Sequence, residues 1–411
     1  MRQLVQHYTN VSKLCLLVLV ALLYSRNVFA VESTDWPNYR GPNHDGVSHE
    51  RRLKGDELKK LWEANVNTGF SGITVVDDRL YTMGNKKEKD IIYCLDANTG
   101  KKIWEYSYGC KLDPNLYEGG PNATPTVYEN KVYTLSREGH MYCIDAKTGK
   151  AFWGRFAKED FETSPPTWGF SGSPVAMGQV VIYNVGSAGL ALDKDTGKSI
   201  WSSGGDLAGY ATPVPYTLYD HTWVAIFAGE RLVGVNPKDG EELWNYDWKT
   251  SYKVNAADPV FFNNYAFVSS GYNTGCTLID ISKSEPEEIW TNKQLRNQFT
   301  SSVLWRGHIY GIDGNVNRRN KLVCLELASG ELKWRSKATG FGSLIVADNK
   351  LVILNEEGYL IIVEARSNKY KELSRRRVLL GKCWTAPTIS NGKLFARGAD
   401  GVLICLDMKK E

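Results

Sequence analysis

Two apolar runs separated by a short polar break recur along the chain, as in PTVYENKVYTL, SPVAMGQVVIY, SLIVADNKLVIL and APTISNGKLFA. The spacing predicts pairs of short strands joined by tight hairpins. The breaks at Glu129-Asn130, Asp348-Asn349 and Asn391-Gly392 supply residues that tolerate the positive φ of a two-residue turn. Each pair is followed by a third apolar run ending in an acidic residue, then by a turn and a fourth run that starts near a tryptophan. The turn reads Asp-x-x-Thr-Gly-x-x-x-Trp at Asp96 to Trp104, Asp145 to Trp153 and Asp193 to Trp201, with looser copies at Asn236 to Trp244, Asp280 to Trp290 and Glu326 to Trp334.

The period decides the fold class. From Trp62 to Trp334 six steps average about 45 residues, the size of one four-stranded propeller blade. The turn positions 96, 145, 193, 236, 280, 326, 364 and 407 predict eight blades; the seventh, VEARSNKYKEL, lacks both Gly and Trp. The chain is therefore read as all-β, an eight-bladed β-propeller over residues 58–411. The segment around Trp62 has an outer-strand tryptophan with no inner strands before it, while the run ending at Asp407 lacks a fourth strand. The N-terminal strand is expected to complete the last blade, which closes the ring and leaves no free sheet edge.

In each turn the Asp is expected to accept hydrogen bonds from the following backbone and the Thr hydroxyl, and the Gly to supply the left-handed residue. The Trp is expected to bury about 150–250 Å² against a neighbouring blade, worth on the order of 4–6 kcal/mol as an upper bound.

Residues 1–30 carry Arg2 and Lys13, the apolar run Leu14 to Tyr24, and small residues at Val28 and Ala30, the pattern of a cleaved export signal. The run is shorter than the roughly 20 residues of a spanning helix, and no transmembrane segment is expected. Cys15 lies inside the run, so a lipoprotein signature is missing. A periplasmic or secreted protein is expected, with residues 31–57 as a leader packed on the propeller. Removing Arg2, Lys13 and Arg26 lowers the formal net charge from +4 to +1, so no field favours nucleic acid. Cys94, Cys143, Cys324 and Cys405 fall at one repeat position and read as buried strand filler; Cys110 and Cys383 form the one pair worth testing for a bridge. No metal-hydrolase motif, phosphate loop or nucleophile elbow occurs, and DGNVNRRN departs from a calcium loop at Arg318 and Cys324.

The repeat DAKTGKAFW, the eightfold count and the leading DWPNYRGPNHDGVS together resemble the pyrroloquinoline-quinone-type β-propellers, over essentially the whole mature chain. That resemblance implies either a non-catalytic envelope scaffold like the BamB branch, binding a protein or small-molecule ligand as a monomer, or a quinoprotein alcohol or sugar dehydrogenase using pyrroloquinoline quinone and calcium. The chain departs from both branches, since it has neither the adjacent cysteine pair of the dehydrogenases nor a lipoprotein signal. The binding reading is placed ahead of the enzyme. Trp36, Tyr39 and Arg40 are expected to pack the leader onto the ring.

A site is expected at the channel mouth, on the face carrying the loops that lead into each innermost strand. Six of the eight loops hold an aromatic at nearly one point, Phe70, Phe170, Tyr210, Phe299, Phe341 and Trp384, with Asn122 and Asn255 near the gaps. Such a ring could stack a planar cofactor or grip a peptide; each side chain could equally pack on the next blade. Arg137, Glu138, His140, Glu230, Arg318, Arg319, Glu356 and Glu357, on the second loop set, could add polar contacts.

Overall fold

The computed structural model describes residues 34–316, 318 and 320–410. The expected export signal lies outside the described residues, as does Arg319. Among the described residues the strands form seven four-stranded sheets and one five-stranded sheet, and no helix is long and apolar enough to cross a membrane. Blade 1 shows the pattern, with strands Thr74–Val76, Arg79–Asn85, Lys89–Asp96 and Lys102–Gly109 in antiparallel order. The eighth blade takes Thr388–Ser390, Lys393–Arg397 and Val402–Asp407 and is completed by the N-terminal strand Lys59–Asn65, with Trp62 opposite Cys405.

The repeat residues do what their chemistry predicts. The Oδ1 of Asp96 accepts from the amides of Asn98 and Thr99 at 2.9 and 2.8 Å and from the Thr99 hydroxyl at 2.9 Å. The tryptophans then join one blade to the next. The indole N–H of Trp62 donates to the Ala97 carbonyl, that of Trp104 to Ala146 and that of Trp153 to Lys194, at 3.0–3.1 Å, each just after the turn acid of the following blade. The turn glycine of that following blade lies flat on the ring: a Cβ at Gly149 would come within 2.8 Å of Trp104. Glycine is thus required twice, for φ of +75° and for the close approach.

Departures from the repeat obey the same logic. The fifth blade has no turn glycine, and Trp244 instead donates to the Tyr216 hydroxyl at 2.8 Å. In the seventh, Tyr370 stands edge-on to Trp334 where the glycine would be, at 6.0 Å. Small residues face the indole across the strand pair: Cys94, Cys143, Cys324 and Cys405 each sit directly opposite a tryptophan. All seven described cysteines are buried and unbridged, Cys110 and Cys383 included. A second clasp closes the ring at Arg397 of the eighth blade, fully buried, whose guanidinium donates to Ser71 O, Met83 O and Asn67 O and to the Thr82 hydroxyl.

The leader crosses the inner edges of the blades. Trp36 exchanges two backbone hydrogen bonds with Val75 in the innermost strand of blade 1. Val127 of blade 2 donates to Pro37, and Val47–Ser48 adds in parallel to the innermost strand of blade 7, Gly342–Ala347. Pro37, Asn38, Pro42 and Asn43 line a cleft with hairpin residues of blades 2 to 4, Tyr128, Met177 and Thr217. The leader therefore enters the channel from the hairpin face, and Tyr39 reaches through to the opposite side.

Candidate functional site

Opposite the hairpins the channel opens into a cavity of about 280 Å³. Its floor is a belt of hydrogen bonds passing from blade to blade. The amide of Gly72 donates to the Thr124 hydroxyl, Thr124 to Ser173, Ser173 to Thr212, Thr212 to the Asp258 carboxylate and Asp258 to Ser301, all at 2.9–3.1 Å. These residues hold one position in successive loops, mostly just before a proline, which fixes the backbone leading into each innermost strand.

Asp258 is the one charged member of that belt. Its carboxylate lies 4.0 Å from Arg40 of the leader, and both side chains are buried. Arg40 also donates to the carbonyls of Asp45 at 2.8 Å and His44 at 3.3 Å and to Ser302 O. Burial pushes the Asp258 carboxyl up to about 6, against the opposing pull of Arg40 and the Thr212 amide. Burial, and then the Asp258 charge, hold the Tyr39 phenol up at about 12. The ion pair pins the leader under the funnel, and Tyr39 becomes part of its floor.

Aromatic side chains make the walls. Phe70 stacks on Trp384 at 5.1 Å and 28°, Phe299 packs on Trp384 at 5.0 Å, and Trp168 lies 6.0 Å from Tyr210. Asn122 donates to the Ser171 and Tyr117 hydroxyls. The structure thus brings Phe70, Asn122, Tyr210, Phe299 and Trp384 to the cavity and places three other expected residues elsewhere. Phe170 is fully buried in the core between blades 2 and 3. Phe341 backs the wall, edge-on to Phe299 at 4.9 Å. Asn255 is buried as a loop tie, donating to Ala228 O, Gly229 O and Trp248 O.

Tyr39, Tyr117, Trp168, Tyr272 and the belt were absent from the expected set. Tyr117 and Trp168 come from loops of unequal length with no repeat register, whereas the belt has a signal in the recurring Thr-Pro, Ser-Pro and Asp-Pro pairs. Of the second loop set, Arg137 pairs with Asp113, Glu230 with Lys253 at 3.3 Å, and Glu356 accepts from the Trp384 indole at 3.4 Å. Arg318 lines a side cleft with Tyr252 and Tyr272. None of the described residues of that set lines the central cavity, whose lining holds no Lys, Arg or His.

The sequence model of the family described as outer membrane protein assembly factor BamB matches residues 88–336. The BamB of Shewanella oneidensis (strain MR-1) is 22% identical over 240 residues, a match spanning 54% of this chain and 57% of that relative, less than two thirds of its length. Among solved structures, BamB from Moraxella catarrhalis superposes with a TM-score of 0.65 at 15% identity, covering 85% of this chain and 100% of that one. Quinohemoprotein alcohol dehydrogenase from Comamonas testosteroni gives 0.71 at 14% identity, covering 92% and 81%. At such identities the solved structures share the fold with this chain, and a fold alone does not choose between binding and catalysis.

Proposed function

The chain belongs to the BamB-type family of pyrroloquinoline-quinone-like propellers, and from that premise we propose that it is a non-catalytic scaffold of the bacterial envelope that holds an apolar segment of a partner protein in its funnel. The observation that carries the proposal is the chemistry of the mouth: aromatic walls, an uncharged rim of Asn115, Leu116 and Asn122, and a floor sealed by Tyr39. Leu116 stands almost fully exposed at that rim, at 90%, and adds an apolar contact beside the Trp and Tyr side chains in which hot spots are rich.

Pyrroloquinoline quinone with calcium does not fit this lining. The quinone carries three carboxylates, and the cavity offers no cationic side chain to receive them. Lys382, nearby, is engaged over the Trp384 ring and with Glu118 at 2.9 Å. The single carboxylate, Asp258, is tied to Thr212 and Arg40 and is not free to anchor calcium.

A photo-crosslinking amino acid at Leu116 tests the proposal in cells. We expect a discrete protein adduct at Leu116 and none at Tyr219, which is exposed on the hairpin face. Equal labelling at both positions, or none at Leu116, would refute it.

A further inference from the structure

Outside the funnel, between blades 1 and 2, the structure gathers a second set of reactive side chains. Cys110 follows the outer strand Lys102–Gly109 of blade 1, Glu138 comes from the loop before His140–Asp145 of blade 2, and His140 opens that strand. One ligand atom from each lies within 4.8 Å of the others. A tetrahedral ion with bonds of about 2.0–2.3 Å spaces its ligand atoms by roughly 3.3–3.8 Å, so closure needs a shift of about 1 Å.

A buried acid stands beside Cys110, outside that group. Asp90 is fully buried beside the Cys110 side chain; its Oδ1 accepts from Asn85 at 2.8 Å, while its Oδ2 has no hydrogen-bond partner. The Tyr108 hydroxyl and the Arg137 Nε are also buried without partners. Buried polar atoms are almost always satisfied, and a cluster left unsatisfied marks the place of an ion or water. Asn85 fixes the geometry by bridging Asp90 Oδ1 and the Cys110 carbonyl, and the Ser136 hydroxyl does so across the gap, accepting the amides of Gly139 and His140.

We propose that Cys110, Glu138 and His140 bind a borderline-soft divalent transition ion, zinc by ligand type, with water in the fourth position. Sulfur and imidazole select against magnesium and calcium, and one carboxylate completes a set of three protein ligands. Binding converts the thiol to a thiolate and releases its proton to solvent; the ion replaces that proton beside Asp90. The ion also ties down the start of the loop that supplies Asn115, Leu116 and Tyr117 to the funnel.

The test is a cobalt(II) titration of the untagged, reduced, chelator-treated protein. We expect a thiolate-to-cobalt charge-transfer absorption saturating at one equivalent, displaced by zinc, with release of protons. Cys110→Ser abolishes the absorption, Glu138→Gln and His140→Gln each weaken affinity at least tenfold, and Cys383→Ser leaves it unchanged. Absence of the absorption, its survival in Cys110→Ser, or unchanged affinity in both Glu138→Gln and His140→Gln would overturn the assignment. The last two variants replace half-buried side chains and keep the test decisive should Cys110→Ser not fold.

Discussion

Replacing Arg40 with methionine probes the link between leader and funnel. The variant leaves Asp258 buried without its counter-charge, and breaking a buried pair in this way costs about 3–5 kcal/mol. The pH dependence identifies the cause. In the native protein the Asp258 carboxyl titrates near 6 because burial lifts it, against about 3.9 in the unfolded chain. Between those values the folded state keeps a proton that the unfolded state has lost, so this group's contribution to stability falls as pH rises through the window and is level above it.

Arg40 opposes that lift, so its loss raises the carboxyl further. Each added unit costs about 1.4 kcal/mol at pH 7.5 and almost nothing at pH 5, where the acid is protonated in both proteins. His44, held down to about 4 by burial and by Arg40, works in the same sense, since losing the guanidinium lets it take up a proton more readily near pH 5. Urea unfolding followed by tryptophan fluorescence should therefore show Arg40→Met costing at least about 1 kcal/mol more at pH 7.5 than at pH 5. Adding Asp258→Ser, which restores the hydroxyl used elsewhere in the belt, should recover at least about 2 kcal/mol at pH 7.5. Equal losses at both pH values, or strictly additive effects of the two substitutions, would refute the ion-pair account.

Two further outcomes follow from the same geometry. Gly149→Ala should cost about 2–4 kcal/mol, from the left-handed backbone and from a Cβ driven onto Trp104. Gly178→Ala, with φ of +54° and open space around it, should cost only about 1–2 kcal/mol in the same denaturation assay. In native-state hydrogen exchange, the amides of Trp36 and Gly46, bonded to Val75 O and Arg40 O, should be protected as strongly as those of the inner strands. Exchange at the rate of an open loop would mean that the leader does not seal the channel.

The ring was legible in the sequence because a left-handed turn glycine and an indole meet at five of the eight blade junctions, and both residue types recur at fixed spacing. Closure was legible from Trp62 for the same reason. The funnel was only half legible. Phe70 and Trp384 share a register, yet the same register delivers Phe170 and Phe341 into the core, because loop lengths around it differ by blade. Tyr39 and Arg40 could be assigned to packing, but their place under the funnel depends on Asp258, more than 200 positions away, filling a belt position that neighbouring blades give to Ser or Thr. The cysteine of the proposed ion site lies outside the repeat register altogether, and only the pairing of two adjacent blades brings it to His140.

The central claim, that the funnel recognises a partner and performs no redox chemistry, is tested most directly by reconstitution. Purified protein would be supplied with pyrroloquinoline quinone and calcium and assayed for dye reduction across a panel of alcohols and sugars, with a wild-type quinoprotein as the positive control. The account predicts no substrate-dependent reduction at any quinone concentration. Saturable, substrate-dependent turnover that is lost on Asp258→Asn would contradict it.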